Sequence, residues 1–229
     1  KGSFKDVNFA VKRGEIIGFA GLMGAGRTEV MRALFGLDKY DSGEILINNV
    51  PVRIHSPQDS VKHKIAMLSE DRRRFGIVPV RSVKENASLS NLKRFIYKGR
   101  LHKSEENAVI GEYFKKMNVK TPTMDTTIDV LSGGNQQKVI LAKWMVTNPD
   151  ILILDEPTRG IDVGAKYEIY ELITKLASEG RALILISSEL PELIGMCDRV
   201  YVMSKGQIKG ELSAGDITQE KIMYLATQN

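Results

Sequence analysis

A glycine-rich turn near the start of the chain has the residue types needed to hold an anion. Residues 21–28, GLMGAGRT, fit the pattern G-x-x-x-x-G-K-[S/T], except that Arg27 stands where lysine is usual. Glycines let the backbone wrap a phosphate, and the free N–H groups at a helix start stabilise its charge. The candidate phosphate-contacting residues are Gly21, Gly24, Ala25, Gly26, Arg27, Thr28 and Glu29. For the turn alone, a tight strand-to-helix connection without a ligand remains the alternative.

Two adjacent acids follow an apolar run later in the chain. Residues 151–154 are Ile-Leu-Ile-Leu, and Asp155 and Glu156 come directly after them. Such a run predicts a buried strand, and ligands of open α/β sheets bind at the carboxyl ends of strands. Asp155 and the Thr28 hydroxyl would hold Mg²⁺, and Glu156 would polarise an attacking water, so these two acids are the candidate catalytic residues. Either acid alone could simply end a strand, but the pair together with the glycine turn favours ATP with Mg²⁺.

Short apolar runs alternate with helical periodicity, which predicts an α/β fold with a largely parallel sheet. The predicted strands are 15–20, 44–48, 65–69, 150–154, 182–187, 199–203 and 207–212, the last two joined by a hairpin at Lys205-Gly206. The predicted helices are 28–35, 105–117, 135–146 and 165–178. Strand signals fade between residues 71 and 146. We therefore expect a nucleotide-binding core, 1–70 and 147–229, interrupted by a helical subdomain, 71–146.

Composition excludes several classes of protein. Among the 229 residues, 42% are hydrophobic and 27% are charged, which are globular proportions and exclude wholesale disorder. The single cysteine, Cys197, excludes an internal disulfide framework and a cysteine-based zinc site. No apolar run approaches the roughly 18 residues that a membrane span needs. These features favour a soluble, cytoplasmic protein.

The positive charge is concentrated in one region. The chain carries a net charge of +5, yet residues 71–120 alone hold 13 Lys and Arg against 5 Asp and Glu, a net of +8. The densest stretch is Arg72–Arg74. A nucleic-acid-binding face is one interpretation, but few aromatics are interleaved with the basic residues. A solvated face or a partner-docking face is favoured.

A third motif has a specific family resemblance. Residues 131–138, LSGGNQQK, lie 23 residues before Asp155 and resemble the signature motif of ABC-transporter ATPases. This variant, with 155–166 (DEPTRGIDVGAK) and 69–73 (SEDRR), resembles the second ATPase half of bacterial simple-sugar importers of the ribose, galactose and xylose type. The resemblance implies a P-loop NTPase core, RecA-like, with an inserted helical subdomain. It covers essentially the whole chain.

The resemblance also implies how the site is shared. In that family two ATPase domains lie head to tail, and each ATP is bound between the phosphate loop of one and the signature of the other. A serine hydroxyl and glycine N–H groups at a helix start form a second anion cradle. The residues implied to contact the sister domain's ATP are Ser132, Gly133, Gly134, Asn135 and Gln136.

The expected partners follow from the same resemblance. They are a sister ATPase domain, membrane permease subunits that meet the insertion between Glu70 and Leu131 and, indirectly, an extracytoplasmic sugar-binding protein. The chain would then lie peripherally on the cytoplasmic face of the membrane, held by the permease. We expect no nucleic-acid partner. The family variant implies a pentose or hexose as the transported sugar, with galactose or ribose favoured. Specificity for one sugar would reside in the permease and the binding protein.

Three positions depart from the family pattern. Arg27 replaces the phosphate-loop lysine, and Glu70 stands where a glutamine usually contacts Mg²⁺ and water. Ser188 stands where a histidine usually contacts the γ-phosphate. We therefore expect a degenerate site here and an intact signature serving the sister domain. A non-catalytic regulatory half is an alternative, as is, less favoured, a soluble ABC protein acting on ribosomes or nucleic acid.

The beginning of the chain is shorter than is usual for ABC domains. These domains normally start further upstream, with an aromatic that stacks on adenine. Phe4 and Phe9 are predicted to be core residues of a strand instead. We expect the C-terminal half of a longer two-ATPase polypeptide, with a cloning remnant at Lys1–Ser3.

Overall fold

The computed structural model describes residues 4–228, so the expectation for Lys1–Ser3 lies outside the described residues. The chain forms two compact units. The first comprises the described residues up to Met67, Asp150–Glu156 and the residues from Thr174 onward. The second comprises Leu68–Pro149 and Pro157–Ile173. Each unit has its own core.

The first unit is built on a sheet. The strands are β1 Ile16–Gly21, β2 Ile45–Ile47, β3 Val50–Val52, β4 Ile65–Leu68, β7 Ile151–Asp155, β8 Ala182–Ile186, β9 Arg199–Ser204 and β10 Gln207–Ser213. Across residues 4–228, six of them join in the order β10-β9-β1-β8-β7-β4, and β2 and β3 form a separate antiparallel pair. Strand β1 pairs in parallel with β8 and β9, β7 pairs in parallel with β8, and β10 pairs antiparallel with β9. The predicted, largely parallel α/β sheet is confirmed.

The apolar runs explain why these strands occupy the interior. Every residue of β4 and β8 is buried, as are all but the first of β7 and all but the last of β1. Continuous burial on both faces is what a parallel sheet covered by helices requires. The β9–β10 hairpin turns at Lys205 and Gly206, which have φ of +48° and +78°. This is the predicted turn.

Helices cover the sheet of the first unit. The helices are α1 Arg27–Leu34, α2 Pro57–Lys62, α7 Leu190–Met196 and α8 Gln219–Ala226. Helices α1, α7 and α8 contact β1, and α8 also contacts β9. Helix α6, Val163–Ser178, begins in the second unit and ends in the first.

The second unit is mainly helical. It contains α3 Val83–Ser88, α4 Lys103–Lys116, α5 Gly133–Met145, a π-helical turn at Arg72–Gly76, 3₁₀ turns at Leu89–Phe95 and Ile128–Val130, and a small hairpin of β5 Ile96–Tyr97 and β6 Arg100–Leu101. Helix α5 contacts both α3 and α4. Its residues Val139, Ile140 and Leu141 are buried, as are Phe95 and Ile110 of the same unit.

The prediction of a strand around Phe4 and Phe9 was wrong. Residues 4–15 contain no strand. Phe9 is half-buried, and its ring meets Phe19 edge-on at 4.9 Å and Tyr201 at 6.0 Å. The aromatic contact anchors an irregular segment on the sheet without a ladder of backbone hydrogen bonds.

Within residues 4–228, none of the helices has both the length and the apolar character that crossing a bilayer would demand.

The middle of β1 has no room for a side chain, and this gives the first prediction. A Cβ at Gly18 would lie 2.8 Å from Cys197 Sγ and 3.1 Å from Leu193 Cδ2. Gly18→Ala should therefore lower the free energy of unfolding by about 1–3 kcal/mol through overpacking. Urea unfolding of the purified chain measures this value.

Gly195 provides the matched control. It lies exposed in α7, and a Cβ there would meet nothing within 4 Å. Gly195→Ala should be neutral or stabilising by about 0.5–1 kcal/mol, because alanine favours the helix. Equal effects of the two substitutions would contradict the packing argument.

Candidate functional site

The glycine turn at the end of β1 has the backbone of an anion cradle. Gly21, Gly24 and Gly26 have φ of +151°, +78° and +97°. A Cβ at Gly21 would lie 2.5 Å from the carbonyl oxygen of Met203, so only glycine fits there. Gly26 is the N-cap of α1 and contributes no side-chain cap. The first N–H groups of α1 therefore have no capping side chain and can bind a phosphate.

The remaining predicted residues of the turn lie in the same place. Ala25 is buried, and its N–H donates to the Leu22 carbonyl oxygen at 3.0 Å, which closes the turn. Thr28 and Glu29 are half-buried in the first turn of α1. The sequence placed these residues together because they are neighbours in the chain, and the structure agrees.

Arg27 is engaged by the protein itself. Its Nη1 donates to the carbonyl oxygen of Ser187 at 2.9 Å, and the side chain is half-buried. Ser187 follows β8, which lies beside β1 in the sheet. The guanidinium is thus tied to the neighbouring strand end. This contact was missed in the sequence analysis, because it joins residues that are 160 positions apart.

Asp155 is a buried carboxylate with one oxygen available. Its side chain is 0% exposed, and Oδ1 accepts from Thr28 Oγ1 at 3.3 Å. Among the described residues, Oδ2 has no hydrogen-bond partner. Burial raises the pKa of Asp155 to about 6, a shift that the Thr28 hydrogen bond only partly offsets. An unpartnered buried carboxylate costs free energy unless a cation or a donor reaches it.

The donor set of this site suits Mg²⁺. Magnesium is usually held by one or two carboxylates together with substrate phosphates and waters, rather than by a cage of protein ligands. Asp155 and the Thr28 hydroxyl provide such a set beside the glycine turn. Across residues 4–228, no group of three or more His, Cys, Asp or Glu side chains could hold a metal alone.

Glu156 has an unusual backbone and a hydrogen-bonded side chain. Its φ is +48°, in the left-handed region, which is energetically unfavourable for a residue other than glycine. Its N–H donates to the Ile186 carbonyl oxygen at 2.9 Å. Its Oε2 accepts from Ser188 Oγ at 3.1 Å. Burial raises the pKa of Glu156, and the Ser188 hydrogen bond opposes this shift. A carboxylate with a raised pKa is a better proton acceptor.

The signature residues form a separate turn in the second unit. Ser132 is exposed and is the N-cap of α5, where its Oγ accepts from the N–H of Asn135 at 3.5 Å and from Asn135 Nδ2 at 3.1 Å. Asn135 Oδ1 accepts from the N–H of Lys120 at 2.7 Å. Gln136 is buried, and its Nε2 donates to the Ile128 carbonyl oxygen at 3.1 Å. Side chains of the motif itself therefore cap this helix start.

The two signature glycines are required by close packing. A Cβ at Gly133 would lie 2.7 Å from Arg72 Nη2, and one at Gly134 would lie 2.6 Å from the Cβ of Ala165. Both glycines therefore allow a neighbour to approach the helix start. Sequence reasoning assigned them to phosphate contact and missed this packing.

Glu70 also lies in the second unit, and its carboxylate forms an ion pair with Arg159.

Arg72 is a residue that sequence reasoning missed. The run Arg72–Arg74 was interpreted as a solvated or docking face, and Arg73 and Arg74 are indeed exposed. Arg72 instead donates to the carbonyl oxygens of Arg159 and Gly160 at 2.8 Å and 3.3 Å. Nothing in a run of three identical residues distinguishes the first from the others.

Comparison with known proteins identifies the family. A family model described as ABC transporter matches residues 4–159, which is more than half of the chain. The chain belongs to the ABC transporter family. The resemblance on the glycine turn, the acid pair and the signature is thereby confirmed.

Similar curated proteins are named as ATP-binding proteins of sugar import systems. A putative ribose/galactose/methyl galactoside import ATP-binding protein of Halalkalibacterium halodurans is 50% identical over 224 residues, 98% of this chain and 43% of that protein. A ribose import ATP-binding protein of Oceanobacillus iheyensis is 50% identical over 227 residues, 99% of this chain and 46% of that protein. The chain thus spans less than half the length of these relatives.

The fold is similar to that of solved ABC cassettes. A bacterial ABC transporter cassette solved as a dimer matches with a TM-score of 0.78 and 25% identity, covering 93% of this chain and 90% of that one. This likeness agrees with the predicted P-loop core.

The buried Asp155 carboxylate generates a pH prediction. Because its folded-state pKa is raised from 3.8 to about 6, Asp155 favours the folded state below its unfolded pKa. That contribution is lost as the pH rises through the folded pKa, at a total cost of about 3 kcal/mol. In the nucleotide-free, metal-free chain, the free energy of unfolding of Asp155→Asn relative to the parent should therefore grow by about 1 kcal/mol between about pH 5 and about pH 7.5.

Urea unfolding in a chelating buffer measures this difference at each pH. Asp41→Asn is the matched control, because it makes the same chemical change at an exposed position. A pH-independent difference for Asp155→Asn would contradict the assignment of a buried, unpartnered charge.

Proposed function

We propose that this chain is an ATP-binding and ATP-hydrolysing domain that drives a monosaccharide importer. The observation that carries the proposal is the buried Asp155 carboxylate, which accepts a hydrogen bond from Thr28. Thr28 lies in the first turn of α1, directly after a glycine turn that provides no capping side chain. An acid pair, a phosphate turn and a separate signature turn are the parts that phosphoryl transfer to water by this family needs. The names of the relatives support a ribose- or galactose-type sugar as the transported substrate.

Each group has a defined task in this proposal. The N–H groups of the glycine turn and of the first turn of α1 bind the β- and γ-phosphates. Thr28 and Asp155 would hold Mg²⁺, which neutralises charge on the phosphates when bound. Glu156, whose pKa is raised by burial, orients the attacking water and accepts its proton.

We further propose that this chain's own site is degenerate. Its three departures from the family pattern are all engaged by protein groups: Arg27 with the Ser187 carbonyl, Ser188 with Glu156, and Glu70 with Arg159. A group held by the protein is less available to a γ-phosphate, to Mg²⁺ or to water. Removing one electrostatic stabiliser of a transition state typically slows a reaction by about 10²–10³-fold.

The partners follow from the shared-site arrangement. The turn at Ser132–Gly133 would complete the working site of a sister ATPase domain, in the same polypeptide or in a dimer. Permease subunits would hold the assembly at the cytoplasmic face of the membrane, and an extracytoplasmic sugar-binding protein would act upstream. That the chain spans less than half of its relatives supports a tandem polypeptide.

A non-catalytic regulatory half is the second candidate, and the same three engaged groups favour it. In that case the chain binds nucleotide and controls the sister site without turnover of its own. The two candidates share the role of the signature turn and differ in whether Glu156 contributes to hydrolysis.

Turnover by the tandem protein in its assembled transporter tests the division of roles. Ser132→Arg should lower ATP hydrolysis by at least about 100-fold, because it blocks the cradle for the sister domain's nucleotide. Arg27→Ala should leave turnover within about threefold of the parent, because the affected site contributes little. Ser104→Arg is the control, since Ser104 is exposed in the same unit, near the start of α4. Intact hydrolysis in Ser132→Arg with loss in Arg27→Ala would reverse the assignment.

Nucleotide affinity of the chain tests whether its own turn still binds. Mg²⁺ should tighten ATP binding by about tenfold in the parent chain and by less than about twofold in Asp155→Asn, because the carboxylate is the principal protein ligand. Isothermal titration with and without Mg²⁺ measures both values, with Asp41→Asn as control. Equal affinity with and without Mg²⁺ in the parent would indicate a vestigial site.

A further inference from the structure

Arg72 makes a set of contacts that a solvated arginine does not make. It opens the π-helical turn Arg72–Gly76 in the second unit and is half-buried. Its Nη1 donates to the Arg159 carbonyl oxygen at 2.8 Å, and its Nη2 donates to the Gly160 carbonyl oxygen at 3.3 Å. Its Nε lies 3.4 Å from Gln136 Oε1. One planar guanidinium therefore joins the 159–160 turn to the first turn of α5.

The guanidinium also packs against the signature itself. A Cβ at Gly133 would lie 2.7 Å from Arg72 Nη2 and 3.3 Å from the Gly160 carbonyl oxygen. The residue directly after Ser132 is therefore in contact with both the arginine and the turn that it holds. The Gln136 side chain, which Arg72 Nε approaches, is itself held by a hydrogen bond from its Nε2 to the Ile128 carbonyl oxygen.

A second tie joins the same two segments. Glu70, two residues before Arg72, forms an ion pair with the Arg159 side chain. Gly160 has φ of +66°, so the turn has a left-handed backbone. Segment 70–72 therefore contacts residues 159–160 in two ways. Glu70 pairs with the Arg159 side chain, and Arg72 donates to the carbonyl oxygens of Arg159 and Gly160.

The hydrogen-bond acceptors of Arg72 are uncharged. Within the described part of the chain, no carboxylate forms an ion pair with it, and its acceptors are carbonyl and amide oxygens. Burial, and then repulsion from Arg73, lower the pKa of Arg72, whereas attraction to Asp71 opposes this shift. A desolvated cation beside a helix N-terminus strengthens the positive potential that an anion would meet there.

We infer that Arg72 is a positioning residue for the signature turn. It holds Ser132–Gly133 and the Arg159–Gly160 turn in one arrangement and places a positive charge beside the phosphate of a nucleotide bound by the sister domain. This inference rests on the proposed function, since it assumes that the signature receives that nucleotide. Arginine is suited to the task because its fork reaches several acceptors in one plane, whereas lysine offers a single ammonium.

The test uses the full polypeptide assembled with its permease, with Arg72→Gln, Arg72→Lys, Arg73→Gln and Ser132→Arg measured together. Arg72→Gln should lower kcat for ATP hydrolysis by at least about tenfold, leave KM within about twofold, and shift Tm by less than about 3 °C. Arg72→Lys should not restore kcat. Arg73→Gln, the same change at the exposed neighbour, should match the parent.

The outcomes separate this inference from the proposed function. Inactive Ser132→Arg together with parental kcat in Arg72→Gln would overturn the role of Arg72 alone, whereas active Ser132→Arg would overturn the proposed function. Equal losses in Arg72→Gln and Arg73→Gln would also overturn the inference, since they would reflect general charge. Restoration of kcat by Arg72→Lys would overturn the positioning role, because a charge alone would then be sufficient. If Arg72→Gln fails to fold, parental kcat in Arg72→Lys is the overturning result.

Discussion

The first unit depends on one costly burial, the carboxylate of Asp155 at the end of β7. The strand leading to it is apolar and buried, so the carboxylate is shielded from water, and the Thr28 hydroxyl is its side-chain hydrogen-bond donor. Its second oxygen has no partner among the described residues, and its pKa is raised to about 6. Such a charge destabilises the empty protein and favours any cation brought by a ligand, so binding free energy and folding free energy are linked at this position.

The same sheet edge arranges the groups around that acid. Because β1, β8 and β7 run parallel as neighbours, the residues that follow them meet at one edge. Arg27 and Ser188 come within reach of groups on adjacent strand ends for this reason. The proposal of a degenerate site rests on these two engaged side chains, because a group held by the protein is less available to a γ-phosphate.

The second unit shows how a short motif depends on residues outside it. Ser132 and Asn135 cap α5 locally, but Gly133 packs on Arg72, and Gly134 packs near Ala165. The motif can be recognised from eight consecutive residues. Its geometry also needs the 70–72 and 159–165 segments, which are distant in sequence and therefore carry no recognisable spacing.

Local chemistry was sufficient to predict much of this protein. Apolar runs marked the buried strands, helical periodicity marked α4, α5 and α6, and glycines with an acid pair marked the phosphate turn, because each signal arises between near neighbours in the chain. Long-range partners needed the tertiary structure: Arg27 with Ser187, Glu70 with Arg159, and Arg72 with the 159–160 turn. A side chain's type defines which bonds it can make, whereas the packing of distant segments decides which partner is within about 3 Å.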